Sequence, residues 1–135
     1  MMDEAVQKKV DYWIRLSESD IETAEILFAH KKYLDCAFYC HQTIEKSLKA
    51  CCWYTQGIEP PYTHNLLKLM DISNLTKTMS ASYKTTITML SPMNIEGRYP
   101  DEAKDLELSM DRSEWNTILI KTKELYTWMR EYLKK

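Results

Sequence analysis

Residues 38–70 read FYCHQTIEKSLKACCWYTQGIEPPYTHNLLKLM, and the fold turns on this stretch. Ala37, Cys40, Ile44, Leu48 and Cys51 recur at steps of three and four, the spacing of one apolar stripe on an amphipathic helix. That predicts a helix from about Tyr33 to Gln56. Gly57 is well placed as its C-terminal cap, and Glu59-Pro60-Pro61 beyond it prevents continuation. Thr63 can cap a short third helix over 64–72, which carries Leu66, Leu67, Leu69 and Met70.

The same periodicity extends in both directions. Upstream, Val6, Val10, Trp13, Ile14, Ile21, Ala24 and Phe28 trace one stripe of a long helix from Asp3 to about Ala29, ended by the sequence HKKY. Downstream, Ser80 to Leu90 is a threonine-rich and intrinsically weak helical segment. A loop over 91–102 and an ambiguous stretch, EAKDLELSM, come next. Asp111 and Glu114 then form a D-x-x-E start resembling a capping box. Trp115, Ile118, Leu119, Thr122, Leu125, Tyr126, Met129 and Leu133 share one face of the last helix. With no repeat, low-complexity tract or linker, residues 1–135 read as one all-α domain, an up-and-down bundle of four to five helices with short connections.

Composition agrees. A chain of 135 residues fits one domain that buries roughly two-thirds of its unfolded surface. Two glycines and four prolines leave few turns, which favours long helices over many short strands. A net charge of −2 and a pI near 5.9 argue against a protein dominated by nucleic-acid electrostatics, although dimerisation could still assemble a basic patch. The charged amino terminus has no apolar signal core, and no run approaches the ~18 apolar residues of a membrane span. Four cysteines (Cys36, Cys40, Cys51 and Cys52) without an export signal point to reduced thiols and a cytoplasmic location.

Several residue groups invite a chemical reading. His41, Glu45 and Lys49 stand at i, i+4 and i+8 on the second helix. On a helical wheel His41 borders the core stripe, Glu45 lies further round, and Lys49 points well towards solvent. They read as an edge histidine followed by a surface Glu–Lys pair, or else as the polar wall of a cleft shared with another helix or chain. Cys40 and Cys51 lie about 16 Å apart along one helix and cannot share an ion unaided, so core-filling thiols are expected and no metal. Trp13, Trp115 and Tyr126 read as core or dimer contacts rather than base-stacking platforms. His64, at the start of the third helix, reads as a turn anchor, because the helix dipole there disfavours imidazolium. No phosphate loop, nucleophile elbow or zinc-protease motif is present, and no cofactor is expected. At residues 97–101, GRYPD, Pro100 restricts Tyr99 to an extended backbone and Gly97 relieves the chain just before Arg98. Two long side chains are thereby held out from a stiff corner. Arg98 either pairs with Glu45 or another carboxylate, or faces an anionic ligand.

The ordered set YCHQTIEKSLKA (39–50), GIEPPYTHNLLKL (57–69) and GRYPD (97–101) resembles the HEPN domain family, over about Tyr12 to Leu133. The resemblance implies a helical bundle, commonly a homodimer with a cleft between protomers, and a small nucleotidyltransferase as typical partner. Some members are metal-independent ribonucleases; others are regulatory or nucleotide-binding modules.

The ribonuclease members resemble one another in an arginine followed, after four to six intervening residues, by a histidine. Arginine can stabilise the charge developing on the phosphate, while histidine moves the proton of the attacking 2′-hydroxyl. Here the corresponding positions after Arg98 are Ala103, Lys104 and Asp105, and those after Arg112 are Thr117, Ile118 and Leu119. Arg15 is followed there by Asp20, Ile21 and Glu22, and Arg130 only by Lys135. All three histidines precede Arg98. The expected function is therefore a non-catalytic regulatory or nucleotide-binding partner of a small nucleotidyltransferase, of the toxin–antitoxin type, with nucleotide or RNA phosphate near Arg98, Tyr99, His41, Glu45 and Lys49. The alternatives are a divergent ribonuclease toxin using Arg98 with His41 or Tyr99, and a purely structural dimerisation module.

Overall fold

A computed structural model describes residues 3–95 and 99–134. Among them are six α-helices and no strand: α1 (Glu4–Ala29), α2 (Tyr33–Gln56), α3 (Leu66–Ile72), α4 (Ala81–Leu90), α5 (Pro100–Leu108) and α6 (Arg112–Tyr132), with a 3₁₀ turn at Ser91–Met93. The all-α expectation holds. The extra helices relative to the expected bundle are short pieces, and α1, α2 and α6 supply most of the length.

Local chemistry sets the boundaries. Asp3 caps α1 by accepting from the Ala5 amide at 3.0 Å. Gly57 ends α2 at φ 68°, a left-handed conformation that glycine adopts without penalty. Asp111 and Glu114 exchange both hydrogen bonds of a capping box at the start of α6. Helix α4 is rich in threonine, and Thr85, Thr86 and Thr88 each donate back to the carbonyl four residues earlier. Those bonds satisfy the hydroxyls that make threonine a poor helix former.

Two expectations about boundaries need correction. The cap of α3 is Asn65, not Thr63: Asn65 Oδ1 accepts from the Lys68 amide at 3.1 Å, while Thr63 Oγ1 accepts from the Asn65 amide in the turn before. The loop expected over 91–102 is interrupted by the 3₁₀ turn and ends at Pro100, where α5 begins and runs through the ambiguous stretch. Proline at the first helical position brings a preset φ and lacks an amide that would need a partner, and Asp101 and Glu102 complement the positive end of the dipole. Tyr99 does take the extended backbone that Pro100 demands, at φ −67° and ψ 147°.

Helix α2 is the axis of the fold. It runs antiparallel to α1, as the pairs Phe28–Tyr33, Asp20–Lys46, Trp13–Lys49 and Lys9–Trp53 require. It runs parallel to α6, as shown by Tyr33 with Arg112 and Tyr54 with Tyr132. Leu48, Ile44, Cys40 and Cys51 of α2 join Leu66, Leu69, Ile87, Leu90, Leu125 and Met129 in one core. All four cysteines are free and buried in it, as core-filling thiols would be. Trp115 is core as expected, at 3% exposure.

Candidate functional site

The His41–Glu45–Lys49 file begins with a cost. All three side chains are internal: His41 is 1% exposed, Glu45 2% and Lys49 6%. The expectation that Lys49 points to solvent, and with it the surface-pair reading, is overturned. The wheel located one apolar stripe, but α2 is covered on a second face by α1 and by the 57–65 connection that folds back over it. Val6 of α1 stands 4.0 Å from the position a Cβ on Gly57 would take. Charges taken out of water cost several kcal/mol each, in round terms, unless they are well paired.

Pairing here is close. Glu45 Oε2 accepts from Lys49 Nζ at 3.2 Å, and Glu45 Oε1 lies 2.8 Å from His64 Nδ1. A carboxylate holding an ammonium can only accept, so Nδ1 of His64 donates, and its Nε2 is left as a free lone pair when the ring is neutral. A buried carboxylate that sets a histidine's tautomer is the orienting half of a catalytic triad, here with no nucleophile in contact among the described residues. His64 is thus more than a turn anchor: it closes the cluster from the far side while its ring remains 40% exposed.

His41 lies beneath. Its Nδ1 is 3.9 Å from Glu45 Oε1 and has no hydrogen-bond partner, while its ring bonds to the His64 backbone. Burial pulls its pKa from the usual 6.5 to about 4, against the opposing pull of Glu45. The imidazole is therefore neutral near pH 7 and holds the chain at His64 in place.

Aromatic rings complete the enclosure. The Lys49 ammonium lies 5.0 Å from the Trp13 ring centroid and 5.9 Å from that of Tyr62. Trp13 is therefore a cation clasp, a role distinct from the core or dimer contact expected of it. Tyr62 stands edge-on to His64 at 5.6 Å and is 91% exposed. A groove of about 510 Å³ opens here, lined by Trp13, Lys49, Glu59, Pro60, Pro61 and Tyr62.

The remaining candidates lie elsewhere. Arg98 is outside the described residues, as is the Gly97 turn before it; the carboxylate it was expected to pair with, Glu45, is held by Lys49 and His64. Tyr99 is 75% exposed at the N-cap of α5, and its side chain makes no hydrogen bond or ring contact among the described residues. No hydrogen bond or ring contact among the described residues joins it to the α2 cluster. Arg112 and Arg130 brace the bundle, on Tyr33 and Phe28 and on Glu18 and Tyr126 respectively. Among the described residues no group of three or more His, Cys, Asp or Glu could hold a metal ion, and no helix is long and apolar enough to cross a membrane.

Sequence reasoning missed Trp13, Tyr62 and the His64–Glu45 contact. The only available signal was the unusual run of polar residues (His41, Gln42, Thr43, Glu45) in the middle of a helix otherwise destined for the core.

Comparison with known proteins places this geometry. The HEPN domain family model matches residues 10–132. The crystal structure of an archaeal HEPN homologue superposes with a TM-score of 0.68 at 20% identity, covering 92% of this chain and 97% of that one. No curated protein matches the chain in sequence.

Proposed function

The chain belongs to the HEPN domain family, and on that premise we propose that it is a non-catalytic, nucleotide-binding or regulatory partner of a small nucleotidyltransferase, acting as a cytoplasmic homodimer. One observation carries the reading. The polar file of the 39–50 block is internal, with Glu45 and Lys49 paired, and it reaches an aromatic groove at Lys49, beside Trp13 and Tyr62. Buried ion pairs are poor sources of stability, since apolar side chains of the same volume serve as well or better. A helix that retains one beside a groove is better explained by what the groove receives. Against cutting stands the absence of any arginine with a histidine at the ribonuclease spacing.

His41, Glu45 and Lys49 support the wall of this site. Arg98, together with Tyr99, which is exposed at the N-cap of α5, is proposed to meet the phosphate of a nucleotide or RNA at the dimer cleft. Purified protein incubated with total RNA in EDTA should leave the RNA intact. Cleavage that disappears in Arg98→Ala would overturn the non-catalytic reading. The neighbouring reading frame should encode a small nucleotidyltransferase, and co-expression with it should yield a stable complex on affinity purification; a neighbour of another kind, or one that fails to co-purify, would remove the partner assignment.

A further inference from the structure

The groove at Lys49 has features that its structural duties do not require. Tyr62 is almost fully exposed, although an aromatic ring has more to gain from burial. Pro60 is buried and Pro61 exposed, so the pair both anchors and stiffens the connection just before that ring. Tyr62 and Trp13 lie on the same ammonium, at 5.9 and 5.0 Å from Lys49 Nζ. The groove that both rings line, about 510 Å³, falls within the range of small-ligand sites.

The polar groups of this groove are only partly used. An ammonium carries three donors, and Glu45 takes one from Lys49 at 3.2 Å; no other hydrogen bond engages Lys49 among the described residues. Lys49 is 6% exposed and lines the groove, so its remaining donors are sheltered from bulk water. Glu59 lines the same groove, is exposed, and makes no hydrogen bond or ion pair among the described residues. The charge balance argues against a phosphate here. Lys49 is already neutralised by Glu45, and Glu59 adds a negative charge, so an entering anion would meet no uncompensated cation. A neutral planar ring with an acceptor for Lys49 and a donor for Glu59 meets every requirement.

We infer that this groove receives the base of a nucleotide, against Trp13 and Tyr62, with a ring acceptor on Lys49 and an exocyclic amine on Glu59. This rests on the nucleotide-binding reading above and adds the place of the base, with the phosphate left outside the groove. Stacking supplies affinity with little regard to base identity, because every base has a π-face. The ammonium and carboxylate add a preference for a base that carries an amine beside a ring nitrogen, as adenine does. Tyr62 stands edge-on to His64 at 5.6 Å, so filling the groove is sensed at the His64 ring. A free nucleotide and single-stranded RNA present the same base, and the probes below separate them.

Calorimetry of the full chain with adenosine, ATP and a short oligoadenylate tests the assignment. Adenosine has no phosphate and so isolates the groove; its affinity should change less than about twofold between about 50 and 200 mM salt. Tyr62→Ala removes an exposed ring and should weaken adenosine binding by about tenfold. Glu59→Ala should weaken adenosine by about fivefold or more, yet leave the affinity for purine riboside, which lacks the amine, unchanged. Both side chains are exposed, so unchanged melting temperatures establish that the losses are local. Tighter binding of ATP than of the oligomer identifies a free nucleotide, and the reverse identifies RNA. If Tyr62→Ala and Glu59→Ala bind ATP or the oligomer as wild type does and Arg98→Ala abolishes binding, the groove assignment is overturned while the nucleotide-binding reading stands. If the wild-type protein binds none of the three probes, both are overturned.

Discussion

Helix α2 has two seams of opposite character. Towards α6 it meets Ile118, Leu125 and Met129, all buried at 2% exposure or less, and the buried Thr122, whose hydroxyl is bonded within α6. Towards α1 the apolar Val10, Ile21 and Ala24 are joined by charged and aromatic side chains. Lys9 over Trp53 and Trp13 over Lys49 form a reciprocal cation–π pair, and Asp20 holds Lys46. The α6 seam is the kind of contact that stabilises a bundle whatever the protein does. The α1 seam spends desolvation on specific geometry, which is how a site is built rather than how a core is filled.

Substitutions can break or sharpen that contrast. The largest effect is expected from Glu45→Ala, which strands the Lys49 ammonium in the interior and should cost about 3–5 kcal/mol in urea unfolding. A loss under about 1 kcal/mol would mean that the α1 seam is wetter than described. Leu125→Ala, on the other seam, should cost about 2–5 kcal/mol through a cavity. It should leave nucleotide affinity unchanged, and a matching loss of binding would erase the distinction between the seams.

Acid should expose His41. Its pKa in the fold, about 4, lies below the usual 6.5, so the unfolded chain takes up a proton that the native chain refuses. The neutral ring therefore supports the fold fully above about pH 6.5, and this support drains as the pH falls towards 4, by up to about 3 kcal/mol. Glu45 and His64 face the same ring, so the His41→Gln variant is the necessary control: its stability should vary less between pH 6.5 and 4 than that of wild type. Equal slopes would show that His41 is hydrated. The smallest effect belongs to the exposed Glu25–Lys123 pair between α1 and α6, where Lys123→Ala should cost less than about 1 kcal/mol.

Where the fold was legible, short-range chemistry was enough. The span Tyr33–Gln56, its Gly57 cap and the Asp111–Glu114 capping box are all set by residues within a few positions of one another. The family blocks were legible for the same reason. The start of α5 was hidden because Pro100 both interrupts the preceding chain and opens the next helix. The cap of α3 was misplaced by two residues because Thr63 and Asn65 each accept a backbone bond. The burial of Lys49 could not be read from a wheel at all. It depends on Trp13, thirty-six residues upstream, and on Tyr62 beyond the proline pair. Of the site residues read from the sequence, the α2 file is brought together, Tyr99 stands apart from it, and Arg98 lies outside the described residues.

The central claim is that buried Glu45 holds His64 through Nδ1 beside the nucleotide site proposed, and the imidazole nitrogens report on it directly. In ¹⁵N-detected spectra of histidine-labelled protein near neutral pH, His64 should show the Nδ1-protonated tautomer, and its Nε2 resonance should move on addition of ATP or oligoadenylate. An Nε2-protonated ring that responds to neither probe would contradict the account.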